Sequence, residues 1–327
     1  MATPHFRFLR HAFINVNWKR YLGYRLVWAG SASLVVTVVL FLFAYSIGDL
    51  TQQTFAGNFS GSEPFWNPGD PVYVQYVDWV QSLVTLDWGI SQRYGEPVTA
   101  LLAERAPITV AYLTPAILGG TAISTGFGYI AARKRGQWSD RFIRTLSYLL
   151  LAVPNFLAGA LLVGYFERRI YEIDGRFYDI EAGFFAEWNL FWLVVASLIL
   201  GTHVAAVQIR QVRTLTGEHL DTDLTKMLRA KGVGRWRFAR HILRATVVPL
   251  ASLFVAEVLG LLLVSVFVVE AVLKVPGLGE VAWRAISVND APLALTVTFL
   301  ISLTIILASV FEDVIAVALD PRLDRNE

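Results

Sequence analysis

Cysteine is absent from all 327 residues, which removes disulfide frameworks, thiolate metal sites and a cysteine nucleophile, and leaves the redox compartment unreadable. Charge is scarce: Asp, Glu, Lys and Arg make up 17% of the chain, against about 25% in an ordinary soluble domain. No G-x-x-x-x-G-K-[ST] phosphate-binding loop occurs, so the chain does not handle ATP through that motif. No His/Glu cluster has metal-ligand spacing, which argues against a metal site and an embedded metalloprotease. An internal repeat of the kind that marks many secondary transporters is also missing. Disordered, collagen-like and coiled-coil chains need a polar or repetitive composition and fall away with the rest.

What is there is apolar. Hydrophobic residues reach 55% and mean hydropathy is +0.51, too little polar surface to clothe a soluble globule of this length. A bilayer span takes about 20 mostly apolar residues, and six stretches meet that need, at about 26–48, 108–132, 146–166, 188–207, 247–273 and 292–319. The first carries no charge. It is too long and starts too late for a signal peptide, and no small-residue cleavage site follows, so it reads as a retained span. Pro154 and Pro292 mark kinks or starts. The expected fold is all-α, a polytopic membrane protein with six transmembrane helices. It divides into an N-terminal segment 1–25, a first span 26–48, an outer region 49–106, a five-span core 107–320 containing a long loop 210–246, and a tail 321–327.

Charge supplies the orientation. Of the 28 basic residues, 21 fall in the N-terminal segment, the 133–144 loop, the 210–246 loop and the tail. Short loops rich in Lys and Arg stay in the cytoplasm, which places both termini inside. The 49–104 region holds seven acids against Arg93 alone, and the 167–187 loop six acids against three arginines. Tyr73, Val77, Val80 and Val84 have helical spacing and predict an amphipathic helix on the outer surface, after a loop punctuated by Pro64, Pro68, Gly69 and Pro71.

The 210–246 loop is far longer than a usual connection of about 4–6 residues. Asp221 or Thr222 can cap a short helix that Gly232 terminates. Leu220, Leu224, Met227 and Leu228 would share one face, and a second helical pattern runs through Trp236, Ala239, Ile242 and Leu243. Two readings stay open: a basic helix lying on anionic lipid, which composition favours, or a docking element for a cytoplasmic partner. Glu257, the only acid deep in a span, and His203 in the fourth span are either interhelical hydrogen-bonding groups or a proton relay. Pro276-Gly-Leu-Gly279 reads as a tight turn.

Several segments, in order, resemble the permease subunits of binding-protein-dependent ABC importers of the dipeptide/oligopeptide branch. Arg229-Ala-Lys-Gly232 with His241, Arg244 and Pro249 resembles that family's cytoplasmic loop signature. Asp87-Trp-Gly-Ile-Ser91 with Pro97-Val98 is similar to its outer loop, and Arg105-Ala-Pro-Ile-Thr109 to the start of its second span. Ala131-Ala-Arg-Lys-Arg-Gly136 with Asp140-Arg141, then Val153-Pro-Asn-Phe156, resembles the stretch joining its second and third spans. Glu270-Ala-Val-Leu-Lys-Val-Pro-Gly-Leu-Gly279, Asp290-Ala-Pro292 and Asp320-Pro-Arg322 complete the series. Leu228, Leu273 and Ile47 depart from the usual Ala, Phe and Pro.

The resemblance implies a type I importer permease that moves di- or oligopeptides or related solutes. A coupling loop would include Asp223, Arg229, Ala230, Lys231, Gly232, His241 and Arg244. Glu270, Pro276, Gly277, Gly279 and Asp290 would belong to an outer gate or the pathway. It further implies a second homologous permease, separate cytoplasmic ATPase subunits and an extracytoplasmic solute-binding protein, in the plasma membrane. The chain would carry no catalytic residue, no cofactor of its own and no nucleic-acid partner, ATP being used by the ATPase subunits. Two rival functions are an ion-coupled secondary transporter working through Glu257 or His203, and a membrane anchor that transports nothing.

Overall fold

The computed structural model describes residues 18–46, 70–91, 93–173, 186–244, 246, 254, 266–288 and 290–319. These residues are helical almost throughout. The one β feature among them is an isolated bridge between Ile90 and Pro97.

The first helix, α1 (Trp18–Ser46), carries no charge beyond Arg25 and has no polar face from there on. Ala29, Thr37, Phe41 and Ala44 form its buried stripe, and the remaining faces have the composition lipid requires. Helix α2 (Val72–Thr85) starts behind Pro71 and ends at Leu86, whose φ of 61° closes the last turn in the left-handed region. The helix expected here is present, but of its expected stripe only Val80 packs inward. Gln75, Trp79 and Leu83 are buried, while Tyr73 is 71% and Val84 79% exposed. Both faces carry apolar side chains, and lipid accepts such side chains as readily as protein does.

Two long helices form the centre. Helix α3 (Val98–Arg133) and helix α6 (Glu187–Leu220) run alongside each other. At about 1.5 Å per residue each exceeds the roughly 30 Å of a hydrocarbon core. Pro107 and Pro115 lie inside α3 without ending it, as transmembrane helices tolerate. Contact is close because glycines line it. A Cβ on Gly120 would lie 2.9 Å from the Gly201 carbonyl oxygen, and one on Gly128 would lie 2.6 Å from Val212 Cβ. Around this seam pack Ile108, Tyr112 and Ala116 of α3 and Trp192, Ala196 and Leu200 of α6.

The expected third span is bent. Helix α4 (Trp138–Ala152) and helix α5 (Asn155–Ile173) meet at 72°, because Pro154 has no N–H to continue the ladder and restricts Val153 before it. Beyond α6 come a short helix α7 (Asp223–Ala230), a helical run α8 over residues 235–244, and helix α9 (Val266–Leu273). Helix α10 (Leu278–Ser287) and helix α11 (Ala291–Leu319) complete the series. Four described helices are long and apolar enough to span a bilayer, within Tyr21–Ser46, Val98–Arg133, Asn189–Leu220 and Pro292–Val314; the bent pair makes a fifth if counted as one. Most of the expected fifth span, 247–265, lies outside the described residues, as do the 1–17 segment and the 320–327 tail.

Two expected boundaries shift. Helix α3 begins nine residues before the anticipated core at 107, and α6 runs unbroken through Arg210 to Leu220, so the expected 210–246 loop proper starts at Asp221. Helix propagation costs little once a span has formed, and charge in the continuing turns does not stop it. Helices α1, α2 and α11 are joined by Phe41, Trp79, Leu83 and Leu295, by a 2.9 Å hydrogen bond between the Thr37 and Tyr76 hydroxyls, and by an Arg25–Asp313 ion pair.

Candidate functional site

Three buried carboxylates organise the chain, and each joins sequence segments far apart. Glu270, on α9, is fully buried. Its Oε1 accepts from the Thr109 hydroxyl at 2.7 Å and the Tyr112 hydroxyl at 2.5 Å, both on α3. Its Oε2 accepts from the backbone N–H of Gly279 at 2.6 Å and of Glu280 at 3.1 Å. Those N–H groups open the first turn of α10, where a helix has donors without internal partners and favours negative charge. The Leu278 N–H donates to Thr109 Oγ1 at 2.9 Å, which closes the ring. A Cβ on Gly277 would fall onto the Glu270 carboxylate and the Thr109 hydroxyl, and one on Gly279 would lie 2.6 Å from Phe267 Cα. Both glycines are therefore required by close approach. Pro276 sits in the turn between α9 and α10, half-buried.

Asp290 closes a second clasp. Also fully buried, it accepts from Ser91 Oγ at 2.6 Å and the Arg93 N–H at 3.1 Å through Oδ2. Helix α11 begins next to it. The Ile90–Pro97 bridge and the Ser91 N–H to Glu96 carbonyl bond of 2.9 Å make the loop before α3 a tight hairpin. Asp290 fastens that hairpin to the start of the last span. In the third case Asp140, at the start of α4, takes two hydrogen bonds from Arg213 of α6, at 2.6 and 3.0 Å, and one from the Gly136 N–H at 2.9 Å. Both Glu270 and Asp290 are thus occupied within the chain.

The set expected to form the coupling loop is built differently. Helix α7 is anchored by Thr225, which is buried and whose hydroxyl donates to the His219 carbonyl at 2.7 Å, and by Leu228, which packs toward Leu220, Phe238 and Ile242. Asp223 pairs with Lys226 at 2.8 Å on the surface. The Arg229 guanidinium lies 5.6 Å from the centre of the Phe238 ring, a cation–π distance. Ala230 ends the helix, Lys231 follows, and Gly232, at φ 63°, turns the chain. His241 and Arg244 lie exposed on α8.

The four apolar residues expected on one face of this segment divide. Leu220 and Leu228 pack with Phe238 and Ile242. Leu224 is 57% exposed and Met227 45%, with Trp236 of α8 exposed at 79%. This is an apolar, basic-rimmed knob with no cover among the described residues. Two further expectations separate here: Glu257 lies outside the described residues, and His203 is half-buried on α6. Sequence reasoning named the Glu270 and Asp290 segments but missed Thr109, Tyr112, Ser91 and Arg213. The first and third fall inside quoted motifs, which was the available signal.

Residues 124–325 match the family of binding-protein-dependent transport system inner membrane components. The chain belongs to this family. The permease is similar to the oligopeptide transport system permease protein OppB of Mycobacterium tuberculosis, 31% identical over 266 residues that take in 77% of this chain and 81% of that protein. It is also similar to the glutathione transport system permease protein GsiC of Escherichia coli, 27% identical over 301 residues, 88% of this chain and 94% of that one. The chain is accordingly a multi-pass membrane protein and the permease subunit of an ABC importer, a transport component rather than an enzyme. That identity favours ATP-driven import over an ion-coupled carrier or a passive anchor.

Proposed function

We propose that this permease supplies half of the translocation pathway of an ATP-driven importer for di- or oligopeptides or closely related solutes. A second homologous permease completes the pathway. Cytoplasmic ATPase subunits hydrolyse the ATP, for which this chain has no phosphate-binding loop, and an extracytoplasmic binding protein delivers the solute. Both termini face the cytoplasm, and the complete chain crosses the membrane six times, its fifth span running through 247–273. The peptide assignment draws on the relatives' names and on the ordered motifs.

The observation that carries the mechanism is α7. It is a short helix held at Thr225, bent back at Gly232, and presenting Leu224 and Met227 uncovered beside Lys226, Arg229 and Lys231. An uncovered apolar knob ringed by cations fits a groove on a protein partner. Through α7, closure of two ATPase subunits would be passed on as rigid-body movement of the spans. At the outer side Glu270, Pro276, Gly277, Gly279 and Asp290 set the position of α10 and the hairpin, and we assign them to the outer gate as its supports.

The experiment is uptake by the complete importer in proteoliposomes loaded with ATP. Gly232→Trp is expected to leave hydrolysis running while solute uptake falls at least about tenfold, since a side chain at φ 63° strains the turn by roughly 1–2 kcal/mol and re-aims α7. Unchanged uptake per ATP in that variant overturns the coupling assignment.

A further inference from the structure

The start of α4 carries positive charge that its own acids do not answer. Arg133, Lys134, Arg135, Arg141 and Arg144 are all exposed. The one acid among them, Asp140, is committed to Arg213 and the Gly136 N–H. Asp221 reaches Arg135 at 4.0 Å, and the other four cations have no ion-pair partner among the described residues. Arg210 of α6 joins them. It is exposed, and its guanidinium lies 5.8 Å from the centre of the Tyr148 ring. It meets an aromatic face there and no carboxylate, so its N–H donors stay unspent. Tyr148 follows Arg144 by one turn of α4 and Arg141 by two, on the same side of the helix. The Asp140–Arg213 pair and the packing of Ile143 with Ala131 and Ile209 hold α4 against α6. Arg141, Arg144 and Arg210 are thus presented together on a fixed frame.

Next to this flank α4 turns an apolar face outward. Trp138, 75% exposed, stacks on Phe142 with ring centres 5.3 Å apart. The same face continues through Leu146 and Leu149 to Val153, all exposed. Trp and Tyr gather at the bilayer interface and aliphatic side chains in its hydrocarbon. Along α4 the outward face therefore runs from rings to aliphatic chains, with the cations at its head and flank. A phospholipid has the same sequence, from phosphate through glycerol to tail.

We propose that Arg141, Arg144 and Arg210 form a binding site for the phosphate of an anionic phospholipid, with Trp138 and Phe142 seated beside its glycerol and upper acyl chains. Guanidinium groups suit this task because their planar forks bind phosphate oxygens in pairs. A protein partner fits less well, because it would have to cover Leu149 and Val153, for which a multi-pass chain already has lipid. The site is separate from the α7 knob and does not depend on which solute is carried.

The test is native mass spectrometry of the complete importer in detergent, stripped of lipid and titrated with phosphatidylglycerol or phosphatidylcholine of matched acyl chains. The parent is expected to bind its first phosphatidylglycerol at least about tenfold more tightly than phosphatidylcholine. R210Q should weaken phosphatidylglycerol about fivefold and R141Q/R144Q about twentyfold, the scale of one and two cations at a lipid surface. Phosphatidylcholine should change less than about twofold in both, since it brings no net charge. R237Q, which removes an equal charge from α8, should alter neither lipid by more than about twofold. R210Q decides the matter if R141Q/R144Q does not assemble. Equal affinity of the parent for the two lipids overturns the site. A loss in R237Q as large as in R210Q also overturns it, because the attraction then belongs to basic segments in general. Unchanged lipid affinity in R210Q with weaker retention of the ATPase subunits overturns it as well and gives the flank to a protein.

Discussion

Replacing Glu270 by glutamine keeps the side-chain volume and removes the charge. The carboxylate accepts four hydrogen bonds, two from α3 hydroxyls and two from the first turn of α10. An amide has one acceptor oxygen and one donating nitrogen, so it serves only one of these pairs. With its oxygen turned to Gly279 and Glu280, its NH2 meets the Thr109 and Tyr112 oxygens, and their protons lose their acceptor. Orphaning a buried donor costs about 1–3 kcal/mol, although interhelical hydrogen bonds within membranes average only about 0.6 kcal/mol. Losing the anion at a helix N-terminus adds about 0.3–1 kcal/mol. Glu270 is fully buried, which places the total for E270Q at about 2–4 kcal/mol. Thr109→Val removes one donor to Glu270 and the acceptor of the Leu278 N–H, and should destabilise by about 1–2 kcal/mol. Both changes act on one carboxylate, so the double variant should fall short of the sum by about 1 kcal/mol. Denaturant unfolding of the purified complex, followed by tryptophan fluorescence, measures all three. An E270Q complex within about 0.5 kcal/mol of the parent, or strict additivity with T109V, refutes the account of Glu270 as the junction of three helices.

Gly277→Ala should destabilise by about 2–3 kcal/mol through overpacking, whereas Gly95→Ala, with open space but φ of 72°, should cost only about 1 kcal/mol. Comparing their melting temperatures separates crowding from backbone strain. Asp290→Ala should free the hairpin, and limited proteolysis of the purified complex should then cut between 91 and 96 at least about tenfold faster, as local opening rises by about 1.4 kcal/mol. Asp140→Asn should reduce stability by about 2–4 kcal/mol by stranding Arg213. Adding Arg213→Gln should restore part of it, and an assembly yield for the pair no better than for D140N alone would contradict the pairing.

Much of this was legible in the chain. The apolar runs at 26–48, 108–132, 188–207 and 292–319 became helices where hydropathy placed them, because lipid demands internal backbone hydrogen bonding over the full span. Pro154 announced its bend, and Gly232 its turn. Orientation of faces was less legible. In water an apolar stripe points inward, but in a bilayer Tyr73 and Val84 can stay outside, and what marks the interior is small or polar: Thr37, Gly120, Ser124, Gly128, Gln208. Pairing was not legible either. Thr109 and Glu270 are 161 residues apart and Ser91 and Asp290 are 199 apart. Their motifs were visible separately, but no local periodicity says that the first belongs to the second.

The glycine seam between α3 and α6 has a mechanical consequence. Two helices seated so closely that no methyl group fits between them at Gly120 or Gly128 cannot slide or splay without losing contact along their whole length. They behave as one stiff strut. One end of it leads through Leu220 toward α7, and the half toward the other end carries Thr109 and Tyr112. On the coupling reading proposed above, a push delivered at α7 would travel along the seam toward Glu270, with Pro115 of α3 the place where it can bend. Pro107 and Pro115 within α3, and Pro154 and Gly232 off it, are the compliant points, and those are the places to put spectroscopic labels for following the transport cycle.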